Sequence, residues 1–262
     1  MEIAVVVLTH NRVHLLRECV ENVLARASDA TGEILVWDNA STDGTAAYLD
    51  GLDDPRLHVV HHPANIGQNA YAEAFKLTSA PYLVELDDDV VEAPPGWDGL
   101  LLDAIRRLPD VGFLAADLAD DPHDQAAEVR HRVRPHLYRP TEVNGVRLLD
   151  GPTGGGCAMT PREVYDRVGG FRQQRKQVFW LEDAAYIVDL RAIGYRAAIL
   201  ADLKVVHHGG PYYAQPTADK VAYWDRVQQV QARKDAVKRL LLRLPGLRPL
   251  NARFGWFEAP ST

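Results

Sequence analysis

Three consecutive carboxylates, Asp87, Asp88 and Asp89, close the apolar run Tyr82 to Leu86 in a chain of 262 residues. Like charges this close repel and raise one another's pKa unless a cation is present. A hard divalent ion, Mn2+ or Mg2+, resolves the conflict, taking oxygens from one or two carboxylates and completing its shell with substrate phosphates. In an extended segment Asp87 and Asp89 point one way and Asp88 the other. A second acidic pair, Glu182 and Asp183, opens a helix-like stretch, where neighbouring residues do not share a direction and only one faces a substrate. Favouring a helix N-terminus would account for only about 0.3–1 kcal/mol of such a pair. Two histidine pairs follow strand-like runs. His207 and His208 offer two ligand candidates, whereas His61 and His62 have no carboxylate cluster beside them in sequence and are expected to hold no ligand.

The elements that must position these groups are legible as an alternation. Short runs rich in β-branched residues, Ile3 to Leu8, Glu33 to Trp37, Leu57 to Val60, Tyr82 to Leu86 and Val111 to Ala115, alternate with helix-length segments. That rhythm predicts an α/β fold with a mostly parallel, Rossmann-like sheet flanked by helices. Helices are predicted over Val13 to Arg26, Thr45 to Leu52 (with Ser41, Thr42 and Asp43 as capping candidates) and Ala70 to Leu77. Ligands of such sheets bind at the carboxyl ends of the strands. Those positions here are Thr9, His10, Asn11 and Arg12, then Asp38 and Asn39, then Asn65 and Gly67, then the three aspartates. Glycine at 67 allows either close backbone approach to a ligand or a tight entry into a helix.

Beyond residue 116 the rhythm breaks into a polar, proline-punctuated stretch, read as an irregular or hairpin-forming insertion. Thr153 to Met159 then supplies flexible backbone, followed by two helices that each stop at glycine. The predicted organisation is a β/α half (1–116), a second half of the same domain (117–215) and a C-terminal amphipathic helix and tail (216–262). In the last, Tyr223, Val227, Val230, Val237, Leu241 and Leu244 fall at helical spacing, interrupted by Lys234.

Composition excludes several classes. The net charge of −7 divides into 21 Lys/Arg against 33 Asp/Glu in residues 1–224, and 8 against 3 in 225–262. An acidic body argues against nucleic-acid binding. Two cysteines make no disulfide framework and no C-x-x-C pair, consistent with a reducing cytosol. The N-terminal apolar run is too short for a signal peptide and reads as a buried strand. No stretch approaches the roughly 20 apolar residues of a spanning helix. The expected location is cytoplasmic, with the basic tail either docked on the body or touching the inner face of the membrane peripherally.

In order, the motifs V-V-V-L-T-H-N-R, I-L-V-W-D-N-A-S-T-D-G-T, H-P-A-N-I-G-Q-N, L-V-E-L-D-D-D-V, R-E-V-Y-D-R-V-G-G-F, W-L-E-D-A-A-Y and K-V-V-H-H-G-G run from residue 3 to 210. Together they resemble the family-two inverting glycosyltransferases of the GT-A fold. The resemblance implies transfer of a sugar from a nucleotide-diphosphate sugar to an acceptor hydroxyl on a glycan, a lipid-linked sugar or a small metabolite. It implies that Thr9, Asn11, Arg12, Asp38 and Asn39 surround the nucleobase and ribose, with Asn65, Gly67 and Asn69 nearby. Asn39 would alternatively cap the turn into the next helix. Asp87 and Asp88 would meet the diphosphate, and Asp87 and Asp89 the metal, with His207 preferred over His208 as a further ligand. Asp183 matches the general base, with Glu182 beside it.

The sequence departs from the family where Leu8 replaces a proline, and where Phe171-Arg172-Gln173 replaces F-D-E on the acceptor side. The segment Gln173 to Gln177 reads as an exposed loop or a contact for an anionic acceptor, and Cys157 is placed near the acceptor site. The nearest rival, a sugar nucleotidyltransferase, calls for a glycine-rich basic loop after the first strand, where this chain has T-H-N-R. A non-catalytic nucleotide-sugar-binding protein of the same fold is the other alternative.

Overall fold

The computed structural model describes residues 1–120, 124, 127, 129–174, 178–179, 181–209 and 218–241. It divides into two compact units, Met1–Gln215 and Pro216–Thr262.

In the first unit the expected alternation becomes a sheet with the strand order β3-β2-β1-β4-β9-β6-β10-β8-β7. The strands are β1 (Ile3–Thr9), β2 (Thr31–Asp38), β3 (Leu57–His61), β4 (Tyr82–Asp87), β5 (Val90–Glu92), β6 (Val111–Leu118), β7 (Arg139–Val143), β8 (Val146–Asp150), β9 (Cys157–Pro161) and β10 (Arg196–His207). β1 is flanked in parallel by β2 and β4, and β3 adds in parallel beyond β2. β9 runs antiparallel between β4 and β6, β10 is parallel to β6, and β5 pairs antiparallel with β10. This is the mostly parallel sheet flanked by helices that the alternation predicts. One reading needs correction: the stretch expected to be flexible at Thr153 to Met159 ends in β9, a buried strand of the sheet centre. The insertion read as irregular or hairpin-forming contains the hairpin β7–β8, turned at Asn144 and Gly145, both with positive φ.

Strand alternation distributes the apolar side chains to two faces. One face gathers Ile3, Val5, Val7, Ile34, Val36 and Leu86 against α1 (Val13–Arg26) and α4 (Trp97–Arg106), with Trp97 fully buried. The other gathers Ala4, Val6, Leu35 and Leu83 against α3 (Asn69–Ala74), α5 (Arg162–Val168) and α6 (Glu182–Ala192). On that face Phe75, Tyr165, Phe171 and Tyr186 make a continuous aromatic cluster, with Phe171 and Tyr186 centroids 5.0 Å apart. Fully burying such side chains contributes roughly 1.5–3 kcal/mol each, so the cluster fixes α6 firmly against the sheet.

α2 (Thr45–Leu49) starts where expected but ends earlier, and its N-cap is Gly44 (φ 95) rather than Ser41, Thr42 or Asp43. Asp43 still serves the turn: its Oδ1 accepts from the Thr45 N–H and its Oδ2 from the Val13 N–H. α5 stops at Gly169 and α6 just before Gly194, as predicted. In the second unit, Ala218–Leu241 is one helix, α7. No helix among the described residues is long and apolar enough to cross a membrane.

Candidate active site

β1, β2 and β4 deliver their carboxyl ends side by side, and the loops there are tied to one another. Asn11 adopts φ 54, a left-handed conformation that asparagine tolerates. Its Oδ1 accepts from the Thr42 N–H at 2.6 Å, and its own N–H donates to Ser41 Oγ at 2.9 Å. Buried Asp38 accepts from the Ser41 N–H through Oδ1 and faces His61 Nδ1 at 3.1 Å through Oδ2. Asn39 does not cap α2: it accepts from the Ile66 N–H at 2.9 Å and donates to the Gly67 carbonyl at 3.2 Å, joining the β2 loop to the β3 loop. Asn65 Oδ1 accepts from the Gly67 N–H.

At Gly67 (φ 59) the close approach is to the chain itself, since a Cβ there would lie 1.6 Å from the Val178 carbonyl oxygen. Asn69 holds the same region, exchanging hydrogen bonds with the backbone of Gln174. Residues 175–177 of the predicted loop lie outside the described residues. His61 and His62 also differ from expectation in their surroundings. The register Asp38↔His61 and the turn of α2 bring Asp38 and Asp50 to His61, and His62 stacks on Trp37 with centroids 5.2 Å apart.

The aspartate run is not extended as expected, since β4 ends at Asp87 and Asp88 and Asp89 form the turn into β5, yet Asp88 still points away from Asp87. Asp88, fully buried, accepts from Thr9 Oγ1 at 2.7 Å and pairs with Arg12 at 2.6 Å. Arg12 also reaches Asp89 at 2.8 Å, so the structure places this guanidinium on the acidic turn rather than beside Asp38. Asp87 and Asp89 turn together toward His207, and one ligand atom from each of the three lies within 4.8 Å of the others. The pairing His207↔Val90 between β10 and β5 puts His207 there, while His208 meets Asp89 with its backbone N–H. Two carboxylates and an imidazole converging in this way fit a hard divalent cation.

Behind His207 stands Asp124, buried, with Oδ2 3.2 Å from Nδ1, while Nε2 faces Asp89 at 3.1 Å. A carboxylate on one ring nitrogen leaves the other directed at the metal position. Tyr71 from α3 orients Asp87, its hydroxyl reaching the Leu86 carbonyl at 3.0 Å and Asp87 Oδ1 at 3.2 Å. Neither residue is signalled by the motifs, and both act across distant parts of the chain.

Electrostatics follow from this crowding. Burial, reinforced by Asp89, pushes Asp87 up to about 6. Burial also raises Asp88 against the pull of Arg12. Burial would raise Asp89 too, but His207 and Arg12 outweigh it and hold it below the usual carboxylate range. For His207, burial favours the neutral ring, yet Asp124 and Asp89 together hold its pKa well above the ordinary value.

Asp183 lines a cavity of about 530 Å³ together with Asp87 and His207. It sits on the first turn of α6, and its Oδ1 accepts from the Ala184 N–H at 2.6 Å and its Oδ2 from the Gly155 N–H at 2.9 Å. Burial raises its pKa, and the two amides counter that rise. Glu182 turns into the protein instead, 7% exposed, so α6 does send the two acids in different directions. Cys157, Thr153, Tyr138 and Arg130 complete the cavity walls with the Gly154–Gly156 backbone. Arg130 is buried and oriented by Asp117 at 2.8 Å.

Residues 4–169 match the model of the glycosyl transferase family 2. The chain belongs to that family. Its fold is the GT-A fold of solved glycosyltransferase structures. A mannosyltransferase of Pyrobaculum calidifontis, PcManGT, in complex with GDP-Man and Mn2+ is 23% identical, with TM-score 0.56 over 88% of this chain and 61% of that one. GalNAc-T7 with UDP, GalNAc and Mn2+ is 17% identical, with TM-score 0.61 over 79% and 44%. S. aureus TarS 1-349 in complex with UDP-GlcNAc is 14% identical, with TM-score 0.61 over 94% and 68%. Among curated sequences, the uncharacterized protein y4gI of Sinorhizobium fredii is 26% identical over 222 residues, which is 79% of this chain but 24% of the relative's length.

Proposed function

We propose that the chain is a metal-dependent, inverting glycosyltransferase that moves a sugar from a nucleotide-diphosphate sugar to an acceptor hydroxyl. The observation that carries this reading is a cavity lined by Asp87, His207 and Asp183, with buried Asp89 grouped with Asp87 and His207 beside it. A divalent cation, Mn2+ or Mg2+, bound by those three residues would neutralise charge on the donor diphosphate as it leaves. The loops around Asn11, Asp38, Asn39 and Asn65 would cradle the nucleoside. Asp183 would take the proton from the acceptor hydroxyl while the acceptor oxygen bonds to the anomeric carbon. The bond from that carbon to the diphosphate oxygen breaks, the electron pair leaves with the nucleoside diphosphate, and attack from the opposite face inverts the configuration. The complexes of structural neighbours with GDP-Man, UDP and UDP-GlcNAc support a nucleotide-sugar donor.

The test is a donor screen by mass spectrometry, with UDP-GlcNAc and GDP-Man first, following both transfer and hydrolysis. Turnover is expected with Mn2+ or Mg2+ and to be lost on addition of EDTA. Undiminished turnover in EDTA would remove Asp87, Asp89 and His207 from the reaction.

A further inference from the structure

We propose that Gly155 is the positioning residue for Asp183, and that Glu85 is the reason this position must be glycine. The inference rests on the reading of Asp183 as base and adds the device that aims it. Two backbone amides hold the Asp183 carboxylate. The Ala184 N–H belongs to α6 itself and fixes the carboxylate only to its own helix. The Gly155 N–H comes from the segment that leads into β9 at the sheet centre. One residue on, the Gly156 carbonyl accepts from the Asp87 N–H at 2.9 Å. Adjacent residues of one glycine run therefore hold the base and a metal ligand, and set the spacing between them.

The three glycines are not equivalent. A Cβ at Gly154 would meet Asp183 Oδ2 at 3.5 Å, an ordinary contact, and one at Gly156 would meet Asp87 Oδ2 at 3.3 Å. A Cβ at Gly155 would lie 1.7 Å from Glu85 Oε1, 2.7 Å from its Cδ and 3.3 Å from Asp183 Cβ. Glu85 cannot swing aside into solvent. It is 2% exposed on the central strand β4, level with Val6 of β1 and Ala158 of β9, under the aromatic face of the sheet. Neither of its carboxyl oxygens has a hydrogen-bond partner among the described residues. A side chain at 155 would thus lift the amide away from Asp183.

Displacing a reacting group by about 1 Å costs on the order of 100-fold in rate. The experiment measures kcat, donor KM and the pH profile of Mn2+-dependent hydrolysis of UDP-GlcNAc or GDP-Man, whichever is turned over. The variants are Gly154→Ala, Gly155→Ala, Glu85→Ala and the double variant Gly155→Ala/Glu85→Ala, with thermal melting to confirm folding. Gly155→Ala is expected to lose roughly 100-fold in kcat with donor KM nearly unchanged. The acidic limb of its profile should move to higher pH, because an amide donor to the carboxylate is lost. Gly154→Ala should lose much less. Removing the obstructing carboxyl in the double variant should recover at least about tenfold of the loss and return the acidic limb.

A double variant no faster than Gly155→Ala, or a fully active Gly155→Ala, would overturn the proposal. If Gly155→Ala does not fold, the double variant decides alone: a kcat within about tenfold of wild type supports the proposal, and a loss near 100-fold overturns it. Failure of the underlying reading looks different. Unimpaired Asp183→Asn would remove the base itself, whereas inactive Asp183→Asn beside fully active Gly155→Ala would remove only the role of the glycine.

Discussion

The two sides of the candidate site solve opposite problems with similar residues. Around the β1 and β2 ends, Asn11, Asp38, Asn39, Asp43 and Asn65 are used by the protein itself: Asn11, Asn39 and Asp43 accept backbone N–H groups of neighbouring loops, and Asp38 and Asn65 those of their own. Around the cavity, Asp87, Glu85, Glu182 and Asp183 crowd together, and burial raises each before their mutual charges or amide contacts act. Leaving an ionised carboxylate buried without compensation costs several kcal/mol, far more than the fraction of a kcal/mol a helix N-terminus returns. The first region is a finished scaffold; the second is a concentration of charge that a cation and a reacting hydroxyl would relieve. Stability is therefore concentrated where the nucleoside would sit, and chemistry where stability has been given up.

The comparison can be broken most directly on the metal side. Asp89→Ala removes a ligand and the partner of both Arg12 and His207, and with chelation it should give the largest loss, at least about 1,000-fold in transfer. Retained turnover in either case would mean that the crowding serves no cation.

His207→Ala and Asp124→Ala should follow, the latter weakening Mn2+ binding by roughly 10- to 100-fold in calorimetry or EPR titration. Asp124→Asn, which can still accept from the ring, should recover part of that loss. Identical Mn2+ affinity in wild type and Asp124→Ala would detach Asp124 from the site.

Proton competition gives a pH signature. Burial and Asp89 push Asp87 up to about 6, and Asp124 and Asp89 push His207 above the ordinary imidazole range. Both must lose protons to bind a metal, so Mn2+ affinity should rise with pH through this range and binding should release protons. A flat affinity between pH 5 and about 8 would contradict the arrangement.

Stability changes should be smaller and opposite in the two regions. Glu182→Gln should raise the melting temperature by on the order of 2–4 °C for each kcal/mol relieved. The sign follows from the raised pKa: the unfolded chain ionises first as pH rises, so the penalty appears above the ordinary carboxylate range. The gain should therefore shrink as pH falls toward 4. Asn39→Ala, by removing one acceptor and one donor that join two loops, should lower stability by about 1–2 kcal/mol in denaturant titration. A destabilising Glu182→Gln beside a neutral Asn39→Ala would invert the comparison.

Much of this was legible in sequence because local pattern carried it. Strands β1 to β4 and β6 announce themselves as β-branched runs, and spacing marks Asp87 and Asp89 as a pair although a turn rather than a strand brings them together. What escaped depends on contacts between distant segments. β9 is short and follows a glycine run, so nothing periodic marks Cys157–Pro161 as the strand between β4 and β6. His61 gains two carboxylates only through strand register and the turn of α2. The pairing of Arg12 with Asp88 and Asp89 joins segments more than 70 residues apart, which no local pattern marks. Asp124 lies in a polar stretch without period, and nothing local marks its meeting with His207, 83 residues on. Gly155 is visible as one glycine of three, and only the buried side chain beneath it sets it apart.

The central claim, that Asp183 removes the acceptor proton opposite a metal held by Asp87, Asp89 and His207, is tested most directly by single-turnover transfer in Asp183→Asn with Mn2+ and donor saturating. A positioned general base contributes roughly 100- to 10,000-fold. The account predicts a loss in that range, with donor binding by calorimetry unchanged. Transfer at the wild-type rate with the donor bound would contradict it.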